Sequence, residues 1–317
     1  MSAHDTFPSR NVLVLVGPTA SGKTTLSIEL TIILDGEIIS ADSRQVYKYL
    51  DIGTAKPTRE QMSQVKHHFV DELLPDQEFN AGQFGIRGRN VIENMFERKK
   101  LPIVTGGSGL YIHSLIDGFF EGPAANAEFR EIMERQLQAG RVRQLIDELC
   151  RVDPVSAAKA DPTKPRRIIR ALEVYHMTGR PISEHQRERK PAINFTPVMF
   201  GLKWDREALY QRIEARCDEM IAQGLLDEIE GLERRGYTSS LNALNTVGYA
   251  EGFAYRRGEI SYKEMIQLFK RNSRRFAKRQ LTWFKRDARI LWINMNESRN
   301  LQDVLKEISE RFQRFST

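Results

Sequence analysis

The sequence predicts an α/β fold, a parallel sheet flanked by helices, with an α-helical insertion. An apolar run at residues 12–16 leads directly into a glycine-rich loop at 17–24, the order of a P-loop NTPase-like core. Two more apolar runs, 37–42 and 101–105, flank a helical pattern at 80–100, and this alternation indicates a parallel sheet. From residue 119 to residue 197 the pattern is helical, interrupted by prolines and without a strand signal, which predicts the insertion.

The loop after the first strand has the pattern G-x-x-x-x-G-K-[ST], formed by Gly17, Pro18, Thr19, Ala20, Ser21, Gly22, Lys23 and Thr24. Its glycines let successive backbone N–H groups converge on an anion, and the helix that follows adds partial positive charge. Lys23 is expected to reach phosphate oxygens and the Thr24 hydroxyl to bind Mg²⁺. The loop therefore predicts a diphosphate-like ligand without identifying it, and an ordinary strand–helix turn is the structural alternative.

The second predicted strand ends at Asp42, and the third runs into Gly106. Because the carboxyl ends of parallel strands meet at one edge of a sheet, Gly17, Asp42 and Gly106 are expected to open onto one crevice. There Asp42 could hold Mg²⁺, act as a general base or cap a following helix. The residues alone leave these three alternatives open.

The later part of the chain completes the two predicted regions. Residues 128–149 and 163–177 are predicted as helices of the insertion. Residues 198–202 and 289–293 are predicted as strands that return to the sheet, and 301–312 as a closing amphipathic helix.

The 317 residues are therefore expected to form a core in two parts, 1–118 and 198–317, and an insertion, 119–197. Cys150 and Cys217 lie far apart and lack metal-ligand spacing, which indicates a reduced protein without structural zinc. A short polar N-terminus and short apolar runs argue against a signal peptide and a membrane span. We therefore expect a cytoplasmic protein that does not bind membranes.

The net charge of +6 is concentrated in one predicted helix. Residues 265–287 contain eight Lys or Arg and one acid, so the rest of the chain is close to neutral. Positive charge localised in this way is typical of a site for a nucleic-acid backbone, and a solvated charged face is the structural alternative.

On another predicted helix, Arg216 falls in the middle of the apolar stripe formed by Leu209, Ile213 and Met220. Its stem could pack in this stripe while the head reaches solvent. Alternatively, the helix covers the crevice and directs the guanidinium at a phosphate.

Two further loops, DIGTAKP at 51–57 and GGSGLY at 106–111, are weak signals alone because such turns are common structural devices. Along the chain they accompany GPTASGKT at 17–24, DSRQVY at 42–47, VGY at 247–249 and KRQLTWF at 278–284. This series resembles the signature blocks of the tRNA dimethylallyltransferase family over almost the whole chain. Ser108 stands where many members have Thr, and Ala250 where members usually have Lys or Arg. No C-terminal zinc finger is present in the sequence, which points to the bacterial type.

The resemblance implies transfer of the dimethylallyl group of dimethylallyl diphosphate to the exocyclic amine of the adenosine 3′-adjacent to the anticodon of tRNA. The P-loop, an ATP-binding motif elsewhere, would hold the diphosphate together with Mg²⁺ on Thr24. Asp42 would accept the proton, and Lys23, Ser108 and Arg216 would stabilise the leaving diphosphate. The target base would be flipped into the crevice, and the enzyme is expected to be a monomer.

The resemblance also implies that the basic helix and the insertion bind the anticodon stem–loop. The tRNA contacts implied beside the crevice are Asp42, Ser43, Arg44, Gln45, Ser108, Val247, Gly248 and Tyr249. Those implied in the insertion are Arg130, Arg166, Arg167 and Arg170. Those implied on the basic helix and just after it are Arg274, Lys278, Arg279, Gln280, Trp283 and Lys285.

Three other functions are compatible with part of the sequence. A small-molecule P-loop kinase would use the loop for ATP, but it would not need the basic helix. An adenylate isopentenyltransferase would perform the same chemistry on a free nucleotide, which needs no such positive segment. A non-catalytic RNA-binding protein would keep the basic helix, but it would not need Lys23, Thr24 and Asp42 intact.

Overall fold

The computed structural model describes residues 10–118, 122–123, 125–188 and 193–315. The chain divides into a core unit, Met1–Ile116 with Ile193–Thr317, and a helical unit, Asp117–Ala192. The expected insertion, 119–197, differs from the helical unit at its ends, because Pro197 pairs within a strand of the core unit. Phe119 and Pro191, which mark the expected start and a proline break, lie outside the described residues.

The core unit contains a six-stranded sheet of β1 (Asn11–Val16), β2 (Gly36–Ser40), β3 (His67–His68), β4 (Leu101–Gly106), β5 (Thr196–Trp204) and β6 (Leu291–Met295). Every strand pairs in parallel, in the order β3-β2-β4-β1-β5-β6. The predicted α/β fold with a parallel sheet is confirmed. Among the strands of the described residues, the sequence analysis missed only β3, since two histidines carry no apolar pattern.

The helices of the described residues are α1 (Lys23–Ile33), α2 (Arg59–Gln64), α3 (Ala81–Glu97), α4 (Gly109–Asp117), α5 (Ala127–Gln138), α6 (Val142–Val152), α7 (Pro154–Ala157), α8 (Pro165–Thr178), α9 (Ile182–Arg187), α10 (Arg206–Ala222), α11 (Leu225–Arg234), α12 (Tyr249–Arg256), α13 (Tyr262–Phe284) and α14 (Leu301–Gln313). None of them has the length and apolar character that crossing a membrane requires.

The central strand β1 is buried on both faces of the sheet. Val12, Val14 and Val16 belong to the larger apolar core, which also contains residues of α3, α10 and α13. Leu13 and Leu15 belong to a second core that they share with α1 and α14. Because successive side chains of a strand point to opposite faces, a strand between two helical layers must be apolar throughout.

The helical unit has an apolar core of its own between α5, α6 and α8. The sequence predicts one helix over 128–149, and this prediction was wrong. The chain forms α5 and α6 instead, separated at Gly140, whose φ of 75° lies in the left-handed region that ends helices.

The basic segment forms most of α13, which begins at a capping box of Ser261 and Glu264. The helix ends at Phe284, so Lys285 is its C-cap and the last basic residues lie in the following turn. The positive charges are therefore spread along one long helix and the turn behind it.

Candidate active site

The carboxyl ends of β1, β2 and β4 open onto one cleft of about 210 Å³ in the core unit. Its lining includes the side chains that carry the predicted chemistry: Lys23, Thr24, Asp42, Ser108 and Arg216. They come from four separate segments of the chain. The parallel sheet brings the first three segments together at one edge, and α10 adds the fourth.

The P-loop is held in place by side chains distant in the sequence. Arg212 donates from Nε to the carbonyl oxygen of Ala20 at 3.0 Å, and Trp204 donates from Nε1 to that of Ser21 at 3.0 Å. The Arg212 guanidinium stacks 4.3 Å from the centroid of the Trp204 ring. The sequence analysis missed both residues, because no local pattern distinguishes an anchoring tryptophan or arginine from others.

Lys23 lies folded against its own loop. Its Nζ donates to the carbonyl oxygen of Pro18 at 2.6 Å. Burial, and next the nearby charge of Arg216, lower the pKa of Lys23 to about 7, while Asp42 opposes this shift. Near neutral pH the Lys23 amine is therefore partly uncharged, and an anionic ligand would stabilise its charged form.

We expect a diphosphate ligand to bind less tightly as the pH rises above about 7. The free enzyme loses the Lys23 proton near that pH, whereas a bound diphosphate favours the charged amine, so binding takes up a proton there. The affinity is highest below this pKa and falls by up to about tenfold per pH unit above it. Titration calorimetry in buffers with different ionisation enthalpies measures the uptake.

The matched control is Lys23→Arg, which stays charged throughout this range. Protons taken up by the diphosphate itself are measured equally in this variant, so the difference between the two proteins gives the contribution of Lys23. If the Arg variant took up as many protons as the wild type, the pH dependence would not come from Lys23.

Asp42 uses one carboxylate oxygen to stabilise a turn. Its Oδ1 accepts hydrogen bonds from the backbone N of Arg44 at 2.8 Å and of Gln45 at 3.4 Å. The helix-cap alternative was wrong, because residues 43–46 form a turn and not a helix. Within the described part of the chain no hydrogen bond reaches Oδ2, so this oxygen is free to accept a proton or to bind Mg²⁺.

Ser108 links the ends of β2 and β4. Its backbone N donates to the carbonyl oxygen of Ala41 at 3.2 Å, and its Oγ accepts from the backbone N of Ser43 at 3.1 Å. The chain approaches so closely here that a Cβ on Gly106 would lie 2.2 Å from the Ala41 oxygen. The Ser108 hydroxyl, which lines the cleft, therefore keeps its own proton for a ligand.

Arg216 projects from α10 into the cleft beside the buried residues Ile213, Cys217 and Met220. It is half-buried. Burial lowers the pKa of Arg216, and the charge of Asp42 acts in the opposite direction. The guanidinium therefore lies in the cleft, as it must if Arg216 is to bind a phosphate.

One wall of the cleft is apolar, and the sequence analysis did not identify it. The wall is formed by Ile213, Met220, Val247, Phe269 and Phe276. These residues come from α10, from the loop before α12 and from α13. No spacing along the chain indicates such a wall, because it exists only when the three segments meet.

One carboxylate holds the first three residues of the loop at 51–57. Glu228 accepts hydrogen bonds from the backbone N of Asp51, Ile52 and Gly53, at distances of 2.7 to 3.1 Å. It also accepts from the Tyr249 hydroxyl at 2.6 Å. Tyr249 is fully buried, so in this conformation its side chain is not accessible to RNA.

The predicted tRNA contacts lie in different surroundings. Ser43, Arg44, Gln45 and Val247 line the cleft, and Gly248 precedes α12. Exposed positions are occupied by Arg166, Arg167, Lys278, Arg279, Trp283 and Lys285. Gln280 is buried.

Three of the predicted arginine contacts are engaged in ion pairs. Arg274 pairs with Glu214. In the helical unit, Arg130 and Arg170 both pair with Glu173, whose side chain is completely buried. A phosphate contact by these three residues would have to compete with an acid that is already bound.

The chain is similar to proteins of one known family over most of its length. The IPP transferase family profile matches residues 45–287. A tRNA dimethylallyltransferase from Acetivibrio thermocellus is 43% identical over 302 residues, 94% of this chain and 96% of that protein. Another, from Pelotomaculum thermopropionicum, is 42% identical over 299 residues, 94% of this chain and 95% of that protein.

Solved structures show the same relationship. The tRNA isopentenylpyrophosphate transferase from Bacillus halodurans is 37% identical with a TM-score of 0.71, over 97% of this chain and 98% of that one. A eukaryotic dimethylallyltransferase described as acting on tRNA is 27% identical with a TM-score of 0.79, over 96% of this chain and 77% of that one. The chain therefore belongs to the IPP transferase family, the tRNA dimethylallyltransferases.

Proposed function

We propose that the cleft performs the reaction of this family with Asp42 as the general base and with Lys23, Ser108 and Arg216 around the leaving group. The reaction moves the dimethylallyl group of dimethylallyl diphosphate onto the exocyclic amine of a tRNA adenosine, 3′-adjacent to the anticodon. The observation that carries the assignment is the convergence of one carboxylate and three donors on one cleft with an apolar wall.

The apolar wall and the hydrogen-bond donors give different parts of the cleft different chemistry. The apolar wall suits the five-carbon group, and the P-loop end suits the diphosphate. As the amine nitrogen forms its bond to the terminal carbon, the bond from that carbon to the diphosphate oxygen breaks. Lys23, Arg216 and the Ser108 hydroxyl stabilise the negative charge that develops on this oxygen. Asp42 accepts the proton that the nitrogen releases.

Mg²⁺ fits the residues at the P-loop end. The Thr24 hydroxyl lines the cleft and makes no hydrogen bond within the described residues. No cluster of three or more acidic, His or Cys side chains that could bind a metal occurs among those residues. Mg²⁺ often has few protein ligands besides phosphate oxygens and waters, so Thr24 and the diphosphate would hold it. It would supply positive charge beside the leaving group.

We further propose that tRNA binds through the exposed cations. On α13 these include Arg271, Arg275, Lys278 and Arg279, none of which forms an ion pair among the described residues. In the helical unit, exposed Arg166 and Arg167 suit the backbone of the anticodon stem–loop. The division into a catalytic core and an RNA-binding insertion follows from these assignments. We also propose that the protein is a monomer and that it acts in the cytoplasm, where its tRNA substrate is found.

The decisive experiment supplies the protein with dimethylallyl diphosphate, Mg²⁺ and unmodified tRNA. We expect nucleoside mass analysis to show adenosine carrying one added dimethylallyl group, with release of an equal amount of diphosphate. Adenosine monophosphate in place of tRNA is expected to give no product, and ATP in place of the prenyl donor no phosphoryl transfer. Tight tRNA binding without any prenylated adenosine would contradict the proposal.

A further inference from the structure

The helix α13 has two faces of different character. Arg271, Arg275 and Lys278 are exposed on one face. On the opposite face Ser273 and Gln280 line the cleft, and Gln280 is only 7% exposed. Because residues three, four or seven apart share a helix face, the spacing places the cations and the amide on opposite sides.

The Gln280 amide joins two loops of the cleft. Its Oε1 accepts a hydrogen bond from the backbone N of Thr19 at 2.9 Å, within the P-loop. Its Nε2 donates to the carbonyl oxygen of Gly107 at 3.1 Å, just after β4. Thr19 and Gln280 are 261 positions apart in the sequence, so the tertiary fold alone creates this bridge. Both polar atoms of the side chain are thereby engaged with backbone.

The loop after β4 is shaped to receive this amide. A Cβ on Gly107 would lie 2.1 Å from Nε2 of Gln280, which is far closer than two such atoms can approach. Any larger residue at position 107 would displace the amide or the loop. The lack of a side chain at Gly107 therefore leaves the space that the Gln280 amide occupies.

We infer that Gln280 is a positioning residue for the P-loop and not a contact for tRNA. Its bond to Thr19 fixes the loop in the conformation in which the remaining N–H groups converge on a diphosphate. It also attaches that loop to the helix whose outer face carries the cations. This inference rests on the proposed function in one respect, namely that the P-loop binds the diphosphate.

The test variant is Gln280→Met, which keeps the length of the side chain and removes both polar atoms. We expect the dissociation constant for inorganic diphosphate with Mg²⁺, measured without tRNA, to rise about tenfold, because two backbone groups lose their partner. The affinity for tRNA and its salt dependence are expected to stay at the wild-type value. Calorimetry distinguishes weaker diphosphate binding from a loss of stability. A partly unfolded sample changes the measured stoichiometry and not the dissociation constant.

The matched control is the double variant Arg275→Ala with Lys278→Ala, on the outer face of the same helix. We expect the opposite pattern from it. Its affinity for tRNA falls, and the slope of log affinity against log salt flattens by roughly 0.7 to 0.9 per lost phosphate contact. Its dissociation constant for diphosphate stays unchanged. Arg274 is unsuitable for this control because it already pairs with Glu214.

Gly107→Ala gives a second variant in which Gln280 itself remains, because the new methyl group breaks the fit between the amide and the loop. It is expected to weaken diphosphate binding as Gln280→Met does and to leave tRNA binding intact. Loss of tRNA affinity in Gln280→Met with normal diphosphate binding would identify Gln280 as an RNA contact and overturn the inference. If the wild-type protein did not bind diphosphate at all, the proposed function would fail before this comparison was made.

Discussion

Asp42→Asn is expected to lower turnover at saturating substrates by about a hundredfold or more, the usual contribution of a general base. The amide keeps an oxygen that can accept the backbone hydrogen bonds from Arg44 and Gln45, so the turn should remain. It has no group that can take a proton from the attacking amine at neutral pH. Single-turnover prenylation of tRNA measures the loss, and tRNA affinity is measured in parallel.

The matched control for this substitution is Asp35→Asn. Asp35 pairs with Lys100 away from the cleft and has a positive φ of 50°, which Asn tolerates well. It is expected to keep wild-type turnover. If Asp42→Asn lost tRNA affinity and kept its turnover at saturation, Asp42 would be a contact for RNA or a structural residue and not the base.

Arg216→Gln is expected to reduce turnover by about a hundredfold, the size of effect seen when one donor to a developing anion is removed. The affinity for dimethylallyl diphosphate is expected to fall as well, since a charged, bidentate donor is lost. The glutamine keeps much of the stem that packs beside Ile213 and Met220. The melting temperature should therefore change little.

Arg206→Gln makes the same chemical change on the same helix. Arg206 is exposed and lies over the ring of Tyr210, outside the cleft lining. Its turnover is expected to match the wild type. A large drop in the melting temperature of Arg216→Gln, with normal turnover in the folded fraction, would show that Arg216 serves only packing.

The sequence by itself was sufficient for features that depend on neighbouring residues. The strand β1, the glycines of the P-loop and the start of α1 are consecutive in the chain, so their apolar pattern and motif predict them directly. The parallel sheet followed from alternating strand and helix patterns. The family followed from short motifs in a fixed order, which the comparisons confirm. The break at Gly140 was also readable locally, since glycine commonly ends helices, but the long polar–apolar pattern of 128–149 concealed it.

Only the tertiary structure decided which groups act together. The motif around Gln280 does not show whether this residue positions the P-loop or contacts RNA. Its hydrogen-bond partner Thr19 is 261 positions away. The same holds for Glu228, which binds the start of the loop at 51–57, and for the arginines that pair with Glu173. Periodicity and motifs record the local demands of helices, strands and turns. Hydrogen bonds, burial and charge pairing between distant segments arise only when folding brings those segments within a few ångströms of each other.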